Sequence, residues 1–195
     1  MESEPLMDER ESLRVIHAMI LSAKKTLQDD GTLYLMWGWL VLFSSLAHYG
    51  LLTQTDFPYP YAVWATMPLA GVYTGFYVRR LANRQPVKTY IGEFLSYLWI
   101  AFLVSIVILL VFMPRIGYEN TYPIILLLYG IGTFVSGGAL RFRPLVIGGA
   151  LNWPIAVAAF FVSFDVQLLL LALAVTCSYI VPGYLLRANY QKQDV

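Results

Sequence analysis

Six apolar stretches, each of about twenty residues, constrain this chain more than any other feature of its sequence. The hydrocarbon core of a bilayer is about 30 Å thick, and an α-helix crosses it in roughly 20 residues. A single segment in lipid can satisfy its own backbone hydrogen bonds only as a helix. We therefore predict an all-α, polytopic membrane protein. Its six-transmembrane-helix bundle would span residues 33–53, 60–79, 92–113, 120–140, 144–164 and 166–186.

The shortage of charge supports lipid, rather than water, as the solvent of this chain. Hydrophobic residues make up 58% of the sequence and charged residues 13%, whereas soluble domains carry about 25% charged residues. The lipid bilayer is thus the first expected partner. The formal net charge of +1 provides no field that would attract a polyanion, so we expect no direct nucleic acid binding.

Lysine and arginine fall almost entirely on one side of the predicted bundle. Of the 13 in the chain, only Arg115 lies in a loop on the opposite side. The others lie in the N-terminal segment, the loop between spans two and three, the loop between spans four and five, and the C-terminal tail. Because basic loops stay in the cytoplasm, this pattern predicts a multi-pass protein of the bacterial cytoplasmic (inner) membrane with both termini cytoplasmic.

The predicted organisation has three parts. Residues 1–31 form a cytoplasmic amphipathic helix, residues 32–187 the transmembrane domain, and residues 188–195 a cytoplasmic tail. The first part carries an apolar stripe at three- and four-residue spacing, formed by Leu13, Ile16, Ile20 and Leu27. This candidate interaction face could bury itself in lipid headgroups, against the cytoplasmic ends of the spans, or on another protein.

Small residues indicate where the spans meet. Helices in lipid associate through close backbone approach, which glycine allows. The predicted packing positions are Gly71 and Gly75, which form a GxxxG motif, and Gly130, Gly137 and Gly138. These faces could pack within one chain or form a homo-oligomer.

Few polar groups lie inside the predicted spans, and four of them form a candidate polar intramembrane site: Asn152, Glu93, Thr176 and Ser178. Asn152 precedes the helix-breaking Pro154 and could either bond to another helix or line a ligand or ion pocket. Glu93 could pair with arginines on its side of the membrane or bind a proton or ion.

The chain carries no catalytic signature. No metalloprotease, phosphate-loop or nucleophile-elbow motif appears, so we predict no catalytic residue, with an intramembrane enzyme as the less favoured alternative. His17 and His48 fall on opposite sides of the predicted membrane, each as a boundary or surface histidine. They cannot share a metal, and Cys177 is a lone cysteine. We therefore expect no metal site and no cofactor.

Several segments resemble an uncharacterised family of small six-span bacterial integral membrane proteins of Bacteroidetes type. The resembling segments are ESLRVIHAMILSAKK with DDG after it, WGWLV, YGIGTFVSGGALRFRPLVIGGALNW and IVPGYLLR. The resemblance implies no activity. It does imply a cytoplasmic protein partner, because members often lie beside a small winged-helix transcription regulator.

The function hypotheses follow from these features. The leading one is a non-enzymatic sensing or protein-interaction component of the membrane. A small transporter or channel with a site near the Asn152/Pro154 break is the first alternative. A structural subunit of a membrane complex is the second.

Overall fold

A computed structural model describes residues 31–84 and 90–192, and these residues are helical apart from short connections. The helices are α1 (Thr32–Gln54), a 3-10 helix (Pro60–Ala65), α2 (Thr66–Arg84), α3 (Tyr90–Ile116), α4 (Tyr118–Ala139), α5 (Arg143–Ala159), α6 (Phe164–Val175), a π-helical segment (Thr176–Ile180) and α7 (Val181–Lys192). The predicted amphipathic helix of residues 1–31 lies outside the described residues, except for Gly31.

Four helical rods are long and apolar enough to cross a membrane: Thr32–Gln54, Tyr90–Ile116, Tyr118–Ala139 and Phe164–Asn189. They indicate a multi-pass membrane protein. The two remaining predicted spans correspond to less regular helices. The stretch from residue 60 begins as a 3-10 helix, and α2 ends among Arg79, Arg80 and Arg84. The helix α5 ends at Ala159, five residues before the end of the predicted span 144–164, and therefore has 17 residues.

An antiparallel hairpin of α4 and α5 forms the tightest contact of the bundle. A Cβ atom at Gly137 would lie 2.5 Å from the backbone nitrogen of Val146, and one at Gly130 would lie 2.7 Å from the Trp153 indole nitrogen. Midway between these contacts, Gly149 meets the α4 backbone at Phe134. The two backbones therefore touch over several turns, which only glycine permits.

The turn that closes this hairpin places an arginine in a left-handed conformation. Arg141 has φ 53°, which costs a non-glycine residue roughly 1–2 kcal/mol. The turn is held by two backbone hydrogen bonds. The Arg141 N–H donates to the Gly138 carbonyl (3.1 Å), and the Phe142 N–H donates to the Gly137 carbonyl (2.8 Å). These satisfy carbonyls at the end of α4 that the helix itself leaves without donors.

The α6–π–α7 rod packs between α5 and α1 and runs antiparallel to both. Gly31, at the start of α1, has φ +73°, and a Cβ there would lie 2.6 Å from the Gly183 carbonyl oxygen. We call this end of the bundle, with the nearby Arg187, the arginine-rich end. The opposite end, where His48 meets Phe164, is called the His48 end.

The helices α2 and α3 lie at the periphery. Within residues 31–84 and 90–192, the α3 backbone approaches only that of α4, and the α2 backbone approaches only those of α1 and the 3-10 helix. Leu109 is the only side chain of α3 that is buried. Both helices therefore present broad apolar faces to the surroundings, as expected for helices in contact with lipid.

The glycine contacts lead to a stability prediction. Gly149→Ala should lower the free energy of unfolding by about 1–3 kcal/mol, because its methyl group would press on the α4 backbone. Gly138→Ala is the matched control. It has no atom within 4 Å of its Cβ position and should leave stability unchanged or raise it by up to about 1 kcal/mol. Thermal unfolding in mild detergent measures both, and equal losses would contradict the assigned contact.

Candidate functional site: the polar interior of the bundle

Asn152 is the most deeply buried polar side chain of α5. It is 0% exposed, and neither its amide nitrogen nor its carbonyl oxygen has a hydrogen-bond partner among the described residues. A buried amide in this state costs about 1–3 kcal/mol. Asn152 is therefore the least satisfied polar group of the interior.

The helix that packs against α5 at Gly148, one turn before Asn152, is irregular. Pro182 has no N–H, so the Ser178 carbonyl loses its α-helical donor. The Val181 amide bonds to Thr176 instead of to Cys177, so the Cys177 carbonyl loses its regular donor too. Widening into a π-helical turn separates the proline ring from the carbonyl four residues earlier. The result is a local break that lies directly against α5, where a Cβ at Gly148 would be 2.5 Å from the Cys177 carbonyl oxygen.

The hydroxyls of this π-helical segment bond within their own helix. Thr176 donates to the Ala172 carbonyl and Ser178 to the Ala174 carbonyl, each at 2.7 Å. Such bonds to the carbonyl four residues earlier tend to bend helices. The structure thus brings Ser178 to within about one helical turn of Asn152 along α5, but directs its hydroxyl elsewhere.

Glu93 lies apart from this interior. It is exposed in the first turn of α3, a helix whose backbone contacts α4 and not α5 or the π-helical segment. Within the described residues it has no ion-pair partner among the arginines of its side.

The predicted glycine positions divide into two groups. Gly130 and Gly137 lie on the α4–α5 contact, whereas a Cβ at Gly71, Gly75 or Gly138 would meet no described atom within 4 Å. The predicted interaction face of Leu13, Ile16, Ile20 and Leu27 lies outside the described residues.

Gln167 joins three helices, a role that the sequence analysis did not anticipate. Its amide nitrogen donates to the carbonyls of Glu119 in α4 and Ala159 in α5, both at 2.9 Å. The Glu119 carbonyl is available because Pro123, four residues later, has no N–H. The Ala159 carbonyl is available because α5 ends there. Pro123, three residues beyond the predicted start of the fourth span, was the one sequence signal that a carbonyl there would lack its donor.

His48 also differs from its predicted surface position. It is 4% exposed, and aromatic rings from the 3-10 helix and from α6 pack against it. Its Nδ1 accepts a hydrogen bond of 2.9 Å from the Trp64 indole N–H of the 3-10 helix. Phe164 of α6 packs edge-on at 5.6 Å between ring centroids. The sequence placed His48 near the end of a span but carried no signal for Trp64 as its partner.

The chemistry open to this interior is hydrogen bonding. In the described part of the chain, no three His, Cys, Asp or Glu side chains gather where they could hold a metal ion. Besides Asn152, three other buried oxygens have no partner there: the hydroxyls of Ser136 and Tyr179 and the side-chain carbonyl oxygen of Gln167. Comparison of the chain with protein-family models, with curated proteins and with solved structures gave no match.

Two buried amides should respond in opposite ways to substitution. Asn152→Leu should keep or raise the free energy of unfolding, because it removes an unsatisfied amide at similar volume. Gln167→Leu should lower it by about 2 kcal/mol or more, because it leaves two carbonyls without a donor. Denaturation in SDS mixed micelles compares the two variants. A loss in Asn152→Leu as large as in Gln167→Leu would mean that Asn152 has a bonding partner in the membrane.

Proposed function

We propose that this chain is a six-span protein of the bacterial cytoplasmic membrane that acts, without catalysis, as a sensing or protein-interaction component. The observation that carries the proposal is the division of the bundle into a closed interior and two peripheral helices. Asn152 is sealed among α4, α5 and the α6–π–α7 rod. Among the described residues the backbones of α2 and α3 each approach few other helices, and α3 reaches the interior through Trp99, which packs against Tyr34 and Tyr179.

This division suits a component that responds to its surroundings. A helix with few internal neighbours can shift while the rest of the bundle keeps its contacts. A lipid or protein that favours one position of α2 or α3 would then bias the whole chain between two arrangements. Transport would instead require a polar path, and the interior around Asn152 is close-packed.

The distribution of charge between the two ends supports the proposed orientation. Arg141, Arg143 and Arg187 lie at the arginine-rich end. The helix α2 begins after the 3-10 helix, whose Trp64 lies at the His48 end, and runs towards Arg79 and Arg80. Arg115, which closes α3 next to the start of α4, lies at the His48 end. Under the positive-inside rule the arginine-rich end, with both termini, would face the cytoplasm.

Cysteine labelling tests this orientation. In a Cys177→Ala background, Thr55→Cys and Ser163→Cys at the His48 end should react with a membrane-impermeant maleimide in intact cells. Asn189→Cys, at the arginine-rich end, should react only after permeabilisation. All three positions are exposed, so accessibility depends on the side of the membrane. Labelling of all three from one side would contradict the proposed crossing of α1 and α6.

The interaction role is tested on the apolar stripe of the N-terminal segment. Ile16→Gln with Ile20→Gln should abolish recovery of a cytoplasmic partner cross-linked in cells, as should a chain beginning at residue 31. Arg14→Gln with Lys25→Gln, on the opposite face of the predicted helix, is the matched control and should retain the partner. Unchanged recovery with the stripe variant would refute the interaction role of this segment.

A small transporter is the second candidate, favoured by the unpartnered Asn152 amide beside the π-helical break. Proteoliposomes that contain a pH dye and are exposed to Na⁺ or K⁺ gradients should show no protein-dependent flux if the first proposal holds. A flux that disappears in Asn152→Leu would replace the first proposal with the second. Co-purification in fixed ratio with other membrane subunits would favour the third hypothesis, a structural subunit.

A further inference from the structure

The 3-10 helix that precedes α2 packs against α1 and donates a side-chain hydrogen bond of unusual chemistry to it. The Trp64 indole N–H donates to His48 Nδ1 at 2.9 Å. An indole nitrogen can only donate, and a histidine nitrogen accepts only when it carries no proton. The bond therefore requires a neutral His48 ring with its proton on Nε2.

Protonation of His48 is incompatible with this bond. A second proton would occupy Nδ1 and set one N–H group against another. The neighbouring residues offer little compensation, since the rings of Trp64, Phe164 and Tyr122 line this end of the bundle. A cation so placed loses its hydration without gaining a carboxylate partner.

The titratable groups at the His48 end of the surrounding elements are Tyr49, Asp56, Tyr59, Tyr61, Arg115, Tyr118, Glu119, Tyr122 and Asp165. Among the described residues none of the carboxylates forms an ion pair with His48. The Tyr122 hydroxyl is the other polar group beside the Trp64 indole, and a phenol keeps its proton below about pH 9. Histidine is the side-chain type of this cluster whose ordinary charge change falls between about pH 5 and 8.

A second indole bond holds α2 farther along and provides a natural comparison. The Trp37 indole N–H donates to the Thr74 hydroxyl at 3.0 Å. A hydroxyl does not titrate in water, so this bond is independent of pH. The bond between the 3-10 helix and α1 therefore has an acceptor that can be protonated. The bond between α1 and α2 has an acceptor that cannot.

We propose that the His48–Trp64 bond is a proton-operated latch, which releases the 3-10 helix and the start of α2 from α1 when His48 takes up a proton. The latch goes beyond the proposed function, since it requires neither a partner nor a particular orientation. In the proposed orientation it would respond to acid outside the cytoplasmic membrane.

Indole NMR on the full chain in detergent micelles tests the latch. The protein contains five tryptophans, and Trp64→Phe and Trp37→Phe identify the two relevant ¹⁵N–H resonances. As the pH falls from 8 to about 4.5, the Trp64 resonance should shift along a single titration curve or be lost to solvent exchange. The Trp37 resonance should stay in place.

His48→Asn supplies the matched control, because its side-chain oxygen can accept from Trp64 but does not titrate. The Trp64 resonance should then be independent of pH. The latch is refuted if Trp64 moves no more than Trp37 in the wild-type chain, or moves equally in His48→Asn. Simultaneous loss of all five resonances would also refute it, because acid would then unfold the bundle as a whole. The wild-type comparison of Trp64 with Trp37 decides the matter even if His48→Asn does not fold.

Discussion

Direct contact between helix backbones at four glycines determines how the rest of this bundle can be arranged. In lipid, apolar side chains gain little by leaving one apolar neighbour for another, so close packing and hydrogen bonds must hold helices together. Gly130, Gly137 and Gly149 bring α4 and α5 into contact, and Gly148 brings α5 against the π-helical segment. The burial of Asn152 and the reach of Gln167 to two other helices both follow from these short separations.

Prolines create the second constraint, because each one inside a helix leaves a carbonyl without its regular donor. The bundle deals with two of them differently. Near the start of α4, Gln167 from another helix donates to the carbonyl that Pro123 releases. Before α7, the backbone itself widens ahead of Pro182. The first solution ties three helices together, and the second leaves an irregular surface against α5.

The apolar stretches were sufficient to predict an all-helical membrane protein, because length and hydropathy are properties of each segment alone. Which faces meet is a property of pairs of segments and was harder to predict. Gly71 and Gly75 form a GxxxG motif, yet no described atom lies within 4 Å of their Cβ positions, while Gly130 and Gly137, which form no such motif, lie in contact. The motif alone therefore did not identify the contact face; the presence of a neighbouring helix does.

The roles of the polar residues were also only partly predictable from the sequence. Asn152 stood out in the sequence because an amide is rare in an apolar run, and it lies at 0% exposure. His48 and Gln167 sit near the ends of their helices, where polar residues are ordinary, so nothing marked them. Their roles depend on Trp64 and on the carbonyls of Glu119 and Ala159, which are distant in sequence and become neighbours only in the bundle.

The π-helical segment has a geometric consequence for the C-terminal rod. A π-helical turn amounts to one residue inserted into an α-helix, and one residue corresponds to about 100° of rotation. The side chains of α7 are therefore turned relative to the direction they would take if α6 continued unbroken. Gly183 meets Leu35 of α1 through this offset. Removing one residue between Thr176 and Ile180 would leave the contacts of α6 unchanged but rotate α7 so that different side chains face α1. The length of this short segment therefore determines which side chains of α7 are exposed.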